Sequence, residues 1–253
     1  ACGPIQRTRQ SEDTPVRTPE TENLLINLKK VSARGFMFGH HDDTNYGIGW
    51  EGDEGRSDVK SVCGDYPAVI SFDLGHIELG DTMSLDKVPF TKIRKEILNQ
   101  YKRGGMSSLS WHLRNPLTGG DSWDVSDTTV VKSILPGGAN HEKFTGWVSK
   151  VSAFINSLQT EEGVKVPVLF RPWHEHTGSW FWWGEKLCTP EEYKALWHMT
   201  VDILRNDGVD NALYAYSPGS EPQDTAQYLK RYPGDELIDL IGFDTYQFER
   251  DTY

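Results

Sequence analysis

The chain has 253 residues, enough for one large domain or two small ones, and its 37% hydrophobic and 25% charged residues describe a folded soluble protein. A net charge of −11 argues against nucleic acid or an anionic membrane surface as partner and favours a neutral ligand, which needs no steering charge. The apolar runs are far short of a membrane span.

Residues 1 to 18 are polar and contain prolines, and read as a flexible tether ahead of one domain over 19–253. From there helices and strands alternate. Apolar residues at helical spacing predict a helix over Thr18–Ala33, followed by a first short strand, GFMFGHH (Gly35–His41). YPAVISFDLG (Tyr66–Gly75) is the second strand, Val88–Gly105 a helix ended by glycines, and MSSLSWH (Met106–His112) the third strand. A long amphipathic helix over His141–Gln159 leads to the fourth strand, VPVLF (Val166–Phe170). Thr-Pro-Glu-Glu is a good cap for a helix over Thr189–Asp207; ALYAYSP (Ala212–Pro218) is the fifth strand, and ELIDLIGFDTY (Glu236–Tyr246) carries the sixth.

Strands alternating with helices imply a parallel sheet. The Gly-rich dinucleotide fingerprint and the P-loop are absent. The six strands end in GHHDD, FDLG, SWHLRNP, RPWHE, YSPG and FDTYQ, so polar and aromatic residues gather at every strand C-terminus. A (β/α)8 TIM barrel keeps its active site there, whereas an open doubly wound sheet binds only near its switch point. The expected class is therefore α/β, a (β/α)8 barrel with six strands readable.

The fourth strand runs into RPWHEHTGSWFWWG (Arg171–Gly184). A carboxyl group at Glu175, beside aromatics at a strand end, is expected to be partly desolvated; this disfavours its charged form and suits a general acid. The bland alternative is a strand-end Glu paired with Arg171 or another cation. Trp173, Trp180, Phe181, Trp182 and Trp183 make a poor core, since each indole N–H needs a partner, and one or two of them suit the apolar faces of pyranose rings; the alternative is an apolar lid. Trp123 in GGDSWDVSD fits the same use. His112 and His174, on neighbouring strands, can bond sugar hydroxyls or orient the carboxylate. Asp73, Glu78, Asp121, Asp124 and Asp244 are further carboxylates expected at the rim. His40, His41, Asp42 and Asp43 suggest a metal site, but adjacent strand residues point to opposite faces, so no metal and no cofactor is expected. GxSxG is absent, which removes that serine-hydrolase elbow and leaves carboxylate chemistry on a sugar.

The three cysteines, Cys2, Cys63 and Cys188, lack zinc-type spacing; Cys63 and Cys188 are either a disulfide or two buried thiols. Cys2 and its tail resemble the mature start of a bacterial lipoprotein, apart from Ala1, which raises the expectation of a lipid anchor at Cys2 and an extracytoplasmic, cell-surface or periplasmic location.

RPWHEHTGSWFWWG, GHHDDTNYG, SWHLRNP with SWD, and IGFDTYQ together resemble glycoside hydrolase family 26, mostly β-mannanases, from about Gly35 to Tyr246. The resemblance implies a (β/α)8 barrel and a retaining endo-β-1,4-mannanase acting on galactomannan or glucomannan, or on manno-oligosaccharides. By motif, Glu175 resembles the acid/base, His174 the residue that contacts sugar and nucleophile, and His112 a glycone-site ligand. Trp180 resembles the aromatic near the cleavage point, and Tyr246 the tyrosine that positions the nucleophile. The family's nucleophile is a Glu at the end of a seventh strand. The sequence reaches Tyr253 before one, Glu249 reads as a loop residue, and the protein is expected to continue. β-1,3-1,4-Glucan or β-1,3-xylan as substrate, and a non-catalytic glycan-binding protein, are the alternatives.

Overall fold

The structure is a computed structural model that describes residues 17–247. Cys2 and Glu249, with the lipid-anchor and loop expectations that rest on them, lie outside the described residues. Helix α1 (Pro19–Ser32) starts where Thr18 accepts the Thr21 N–H and a proline takes the first turn. Strand β1 (Gly39–His41) follows, then a small antiparallel hairpin, β2 (Tyr46–Gly47) with β3 (Trp50–Glu51), helix α2 (Asp58–Cys63), and β4 (Val69–Asp73). A 3-10 turn (Ile77–Leu79), α3 (Phe90–Lys102) and β5 (Met106–Ser110) come next, then α4 (Val130–Ile134), α5 (His141–Asn156) and β6 (Val168–Arg171). Helix α6 (Pro190–Asn206), β7 (Ala212–Tyr216), α7 (Thr225–Leu229) and β8 (Leu240–Ile241) complete the order.

The predicted helices and strands appear in their predicted order. The hairpin, α2, α4 and α7 were not foreseen, because helices of five or six residues and two-residue strands are too short to show a period. Helix α3 buries Ile93, Glu96, Ile97 and Gln100, one stripe at helical spacing. Helix α6 opens with a full capping box: Glu192 N–H donates to Thr189 Oγ1 (3.1 Å) and Thr189 N–H to Glu192 Oε2 (2.9 Å).

The six main strands pair in parallel in strict chain order, β1-β4-β5-β6-β7-β8. A doubly wound sheet must reverse its strand order somewhere; this one does not, so the sheet curls in one direction as a (β/α) barrel does. Strands β5 and β7 are buried along their whole length. The outer strands are shorter than predicted. Among the described residues β1 pairs only with β4; it starts at Gly39, leaving Phe36 and Phe38 exposed, while β8 contributes two residues against β7. Beyond β8 the chain follows β7 through Gly242 N–H to Tyr216 O (2.9 Å) and Asp244 N–H to Pro218 O (2.8 Å).

The cysteine expectation is corrected: Cys63 and Cys188 are both free thiols, and only Cys188 is buried. Cys63 ends α2 on the outer surface, whereas Cys188 sits beneath the start of α6 with Arg231 Nη2 2.8 Å from its sulfur.

Candidate active site

The C-terminal ends of β1, β4, β5 and β6 and the segment after β8 open into one cleft of about 820 Å³. Trp173 (φ +56°) and Glu175 (φ +53°) both take the left-handed conformation, which disfavours a side chain by roughly 1–2 kcal/mol per residue. A regular strand would put these two residues on one face. The break in alternation sends Trp173 into the core and Glu175 into the cleft.

Glu175 is nearly buried and held at three points. Its N–H donates to Ser217 O (2.8 Å), Trp180 Nε1 donates to Oε2 (2.8 Å), and the Tyr246 hydroxyl donates to Oε1. Burial, and then the bond and charge of Glu175, push the Tyr246 phenol up to about 12, so it remains a donor at neutral pH. Arg171, the bland partner for Glu175, is engaged elsewhere: Nη1 donates to both Asp244 oxygens (2.9 and 2.8 Å) and to Ser217 Oγ (3.0 Å). Glu175 is thus gripped by neutral donors and left without the Arg171 ion pair.

His112, at the end of β5, stacks on Trp123 with ring centroids 5.4 Å apart and planes 11° apart, and meets His174 edge-on at 4.6 Å. His174 is buried; burial, and then the charge of Arg171, hold its pKa well below the ordinary value, so it is neutral at pH 7. Trp123 and Trp180 are the half-exposed tryptophans of the cleft, 49% and 39% accessible, placed where flat apolar ligand faces can rest.

The tryptophan cluster is otherwise core. Trp173, Trp182 and Trp183 are fully buried, contrary to the expectation that such a loop makes a poor core. Backbone carbonyls serve two of the three indoles: Trp183 Nε1 donates to His174 O (2.9 Å) and Trp182 Nε1 reaches Leu113 O (3.5 Å), whereas Trp173 Nε1 is buried with no acceptor among the described residues. The rim carboxylates are corrected as well. Glu78 is buried, accepting from Trp111 Nε1 (3.0 Å) and Arg114 N–H (2.8 Å). Asp124 and Asp121 shape the β5 loop, Asp124 by accepting from Thr118 and Ser126 and Asp121 from Trp123 N–H. Asp73 and Asp244 do reach the cleft, and so does Asp86, which sits in a polar loop with no sequence signal.

His41, Asp42 and Asp86 bring donor atoms within 4.8 Å of one another, close enough to meet one cation. Of the four sequence candidates His41 and Asp42 meet here, Asp42 at φ +51°, while His40 and Asp43 stay outside the group. Within the structure His41 forms two ion pairs, its Nε2 lying 3.1 Å from Asp42 Oδ2 and 3.8 Å from Asp86 Oδ2. Burial lowers the His41 pKa, but the bonds to Asp42 and Asp86, and then the charges of Asp42 and Asp73, outweigh it and push it up to about 10. A raised folded value stabilises fully below the ordinary 6.5 and is lost as pH climbs through about 10. The melting-temperature gap between the wild type and His41→Gln is therefore expected to be widest near pH 6 and to close above pH 10; a gap that grows with pH would contradict this.

A family model described as glycosyl hydrolase family 26 matches residues 14–253. The chain belongs to that family. A mannan endo-1,4-β-mannosidase of Bifidobacterium adolescentis is 37% identical over 236 residues, covering 90% of this chain and 23% of that protein. A family 26 β-mannanase structure from Bacteroides ovatus superposes with TM-score 0.91 at 64% identity, covering 92% of this chain and 68% of that one. A modular endo-β-1,4-mannanase structure from Cellulomonas fimi gives TM-score 0.84 at 36% identity, with 92% and 53% covered. The chain thus spans less than a quarter of the first relative and between half and seven-tenths of the two solved chains. The family 26 assignment bears out the (β/α) barrel expectation, and the strand-end motifs that suggested it line one cleft.

Proposed function

We propose that this family 26 protein is a retaining endo-β-1,4-mannanase acting on galactomannan or glucomannan. The observation that carries the reading is Glu175: a nearly buried carboxyl at the C-terminal end of β6, facing a cleft and held by Trp180 and Tyr246. The mannanases among its relatives support the substrate class.

In this mechanism Glu175 protonates the leaving glycosidic oxygen, and then deprotonates the water that releases the sugar. Trp180 and Trp123 offer faces to pyranose rings, and His112 and His174 shape the wall between them. A second carboxylate must attack the anomeric carbon from roughly 5–5.5 Å away. Among the described residues the other cleft carboxylates are committed: Asp73 to His112, Asp244 to Arg171, Asp86 to the His41 pair. The nucleophile is assigned to none of them. An extracytoplasmic location, the expectation raised by Cys2 and its tail, suits a polymeric substrate.

The test is a polysaccharide panel with the full-length protein. β-1,4-Mannan is expected to release new reducing ends, and NMR of the first products is expected to show the β anomer. Faster release from β-1,3-1,4-glucan or β-1,3-xylan moves the specificity within the family. Binding of mannan with no release would make this a glycan-binding protein.

A further inference from the structure

Asp73 stands at the end of β4, with β5 between it and the strand that leads to Glu175, and it is 2% exposed. Four donors saturate it. Gly75 N–H (2.7 Å) and His112 N–H (3.1 Å) donate to Oδ1, while Ser110 Oγ (2.6 Å) and His112 Nδ1 (2.7 Å) meet Oδ2. Donors on both oxygens favour the charged form, so the carboxyl is held ionised by geometry. An ionised carboxylate only accepts, so the ring nitrogen facing it carries a proton.

The other nitrogen of His112 lies 3.1 Å from His174 Nε2. Two N–H groups cannot face each other at that distance, so one proton sits between the rings. Either His174 Nε2–H donates to a neutral His112, or a doubly protonated His112 donates to His174. The second pattern puts a proton on His174 Nδ1, which is buried and has no acceptor among the described residues. A buried orphan N–H is rarer and costlier than an orphan lone pair. Burial and Arg171 beside His174 also disfavour a further charge here.

We propose that Asp73 is a positioning residue of the sugar site: by holding the Nδ1–H of His112 it makes His112 Nε2 an acceptor, and thereby makes His174 Nε2 the donor between the two rings. The result is a chain of fixed direction, from His174 through His112 to Asp73, that orients two walls of the cleft beside Glu175. It explains why a buried acid with no Lys or Arg partner among the described residues stands at the floor of the cleft. Its consequence for rate rests on the mannanase reading; its consequence for the protons does not.

The test is Asp73→Asn in the full-length protein. The amide oxygen can still accept from Gly75 and His112 N–H. The amide nitrogen, however, becomes a donor facing His112 Nδ1, which drives the His112 proton to Nε2 and sets two donors against each other at His174. Hydroxyl contacts that strengthen in the transition state lose their alignment, and misplacement of this kind lowers rates by about 10²-fold. The expected result is a folded variant whose kcat on β-1,4-mannan falls about 10²-fold while KM stays within about threefold. Histidine-selective 15N spectra, with His112 identified by its loss in His112→Phe, are expected to show the proton on Nδ1 in the wild type and on Nε2 in the variant. A wild-type spectrum with His112 bare at Nδ1, or protonated at both nitrogens, overturns the proposal even if the variant fails to fold. So does a variant with a switched tautomer and unchanged kcat. A wild type that hydrolyses no mannan removes the mannanase reading, and its spectrum still decides the proton arrangement.

Discussion

Replacing Glu175 with glutamine is expected to lower kcat on β-1,4-mannan by about 10³-fold, within the range that general acid–base catalysis supplies. The change is conservative in shape. A glutamine oxygen still accepts from Trp180 Nε1, and its amide group can still meet the Tyr246 hydroxyl, the two partners that grip Glu175. The melting temperature is therefore expected to stay within a few degrees, and only the transferable proton is lost. A substrate with an activated aryl leaving group needs no proton to depart. With it, the loss in the first step is expected to shrink strongly while release of the glycosyl-enzyme stays slow, and a burst of the aryl group should appear. A variant that keeps a tenth or more of the wild-type rate on mannan would remove Glu175 from the acid/base role.

Trp173→Ala is expected to give the largest loss of stability of any single change near the site, about 3–5 kcal/mol, measured by urea unfolding. Trp173 is the centre of the aromatic core. Its ring lies 5.8 Å from Trp111, 6.0 Å from Phe144, and 5.6 Å from both Trp182 and Trp183. Its carbonyl accepts from Tyr193 Oη (2.7 Å), which in turn accepts from Trp197 Nε1 (3.0 Å). Truncation leaves a cavity bounded by large rings that cannot collapse into it, while the left-handed backbone at position 173 remains strained. For a chain of this size the melting temperature is expected to fall by roughly 10 °C. A loss under 1 kcal/mol would mean that the neighbouring indoles repack. Because Glu175 follows two residues later, activity at low temperature is also expected to suffer.

Glu175 was legible in the sequence because its signal is local: a Glu at the end of an apolar run, beside aromatics. The same holds for the helices, whose caps and apolar stripes sit within a few residues of each other. The tryptophans of the same loop were not separable by such reasoning. Trp180 and Trp182 are two positions apart, yet one lines the cleft and the other is buried, because that depends on which strands and loops pack above them. Asp86 had no signal, since a polar residue in a polar loop gains its place only when the loop folds over β1 and β4. Asp73 was visible as a strand-end carboxylate, but its four donors come from β5 and from its own turn, and no spacing announces them.

By itself the amino-acid sequence determined the alternation of helices and strands, the decoration of every strand C-terminus, and hence a barrel with polar and aromatic side chains at one rim. Period and capping are properties of neighbouring residues, and neighbours are written in order. Tertiary structure alone decided that Arg171 turns to Asp244, that three of the four loop tryptophans are core, and that His112 and His174 share a proton under the control of Asp73. These are meetings between residues up to 73 positions apart, fixed by strand register and by which side chain leaves a left-handed turn on which side.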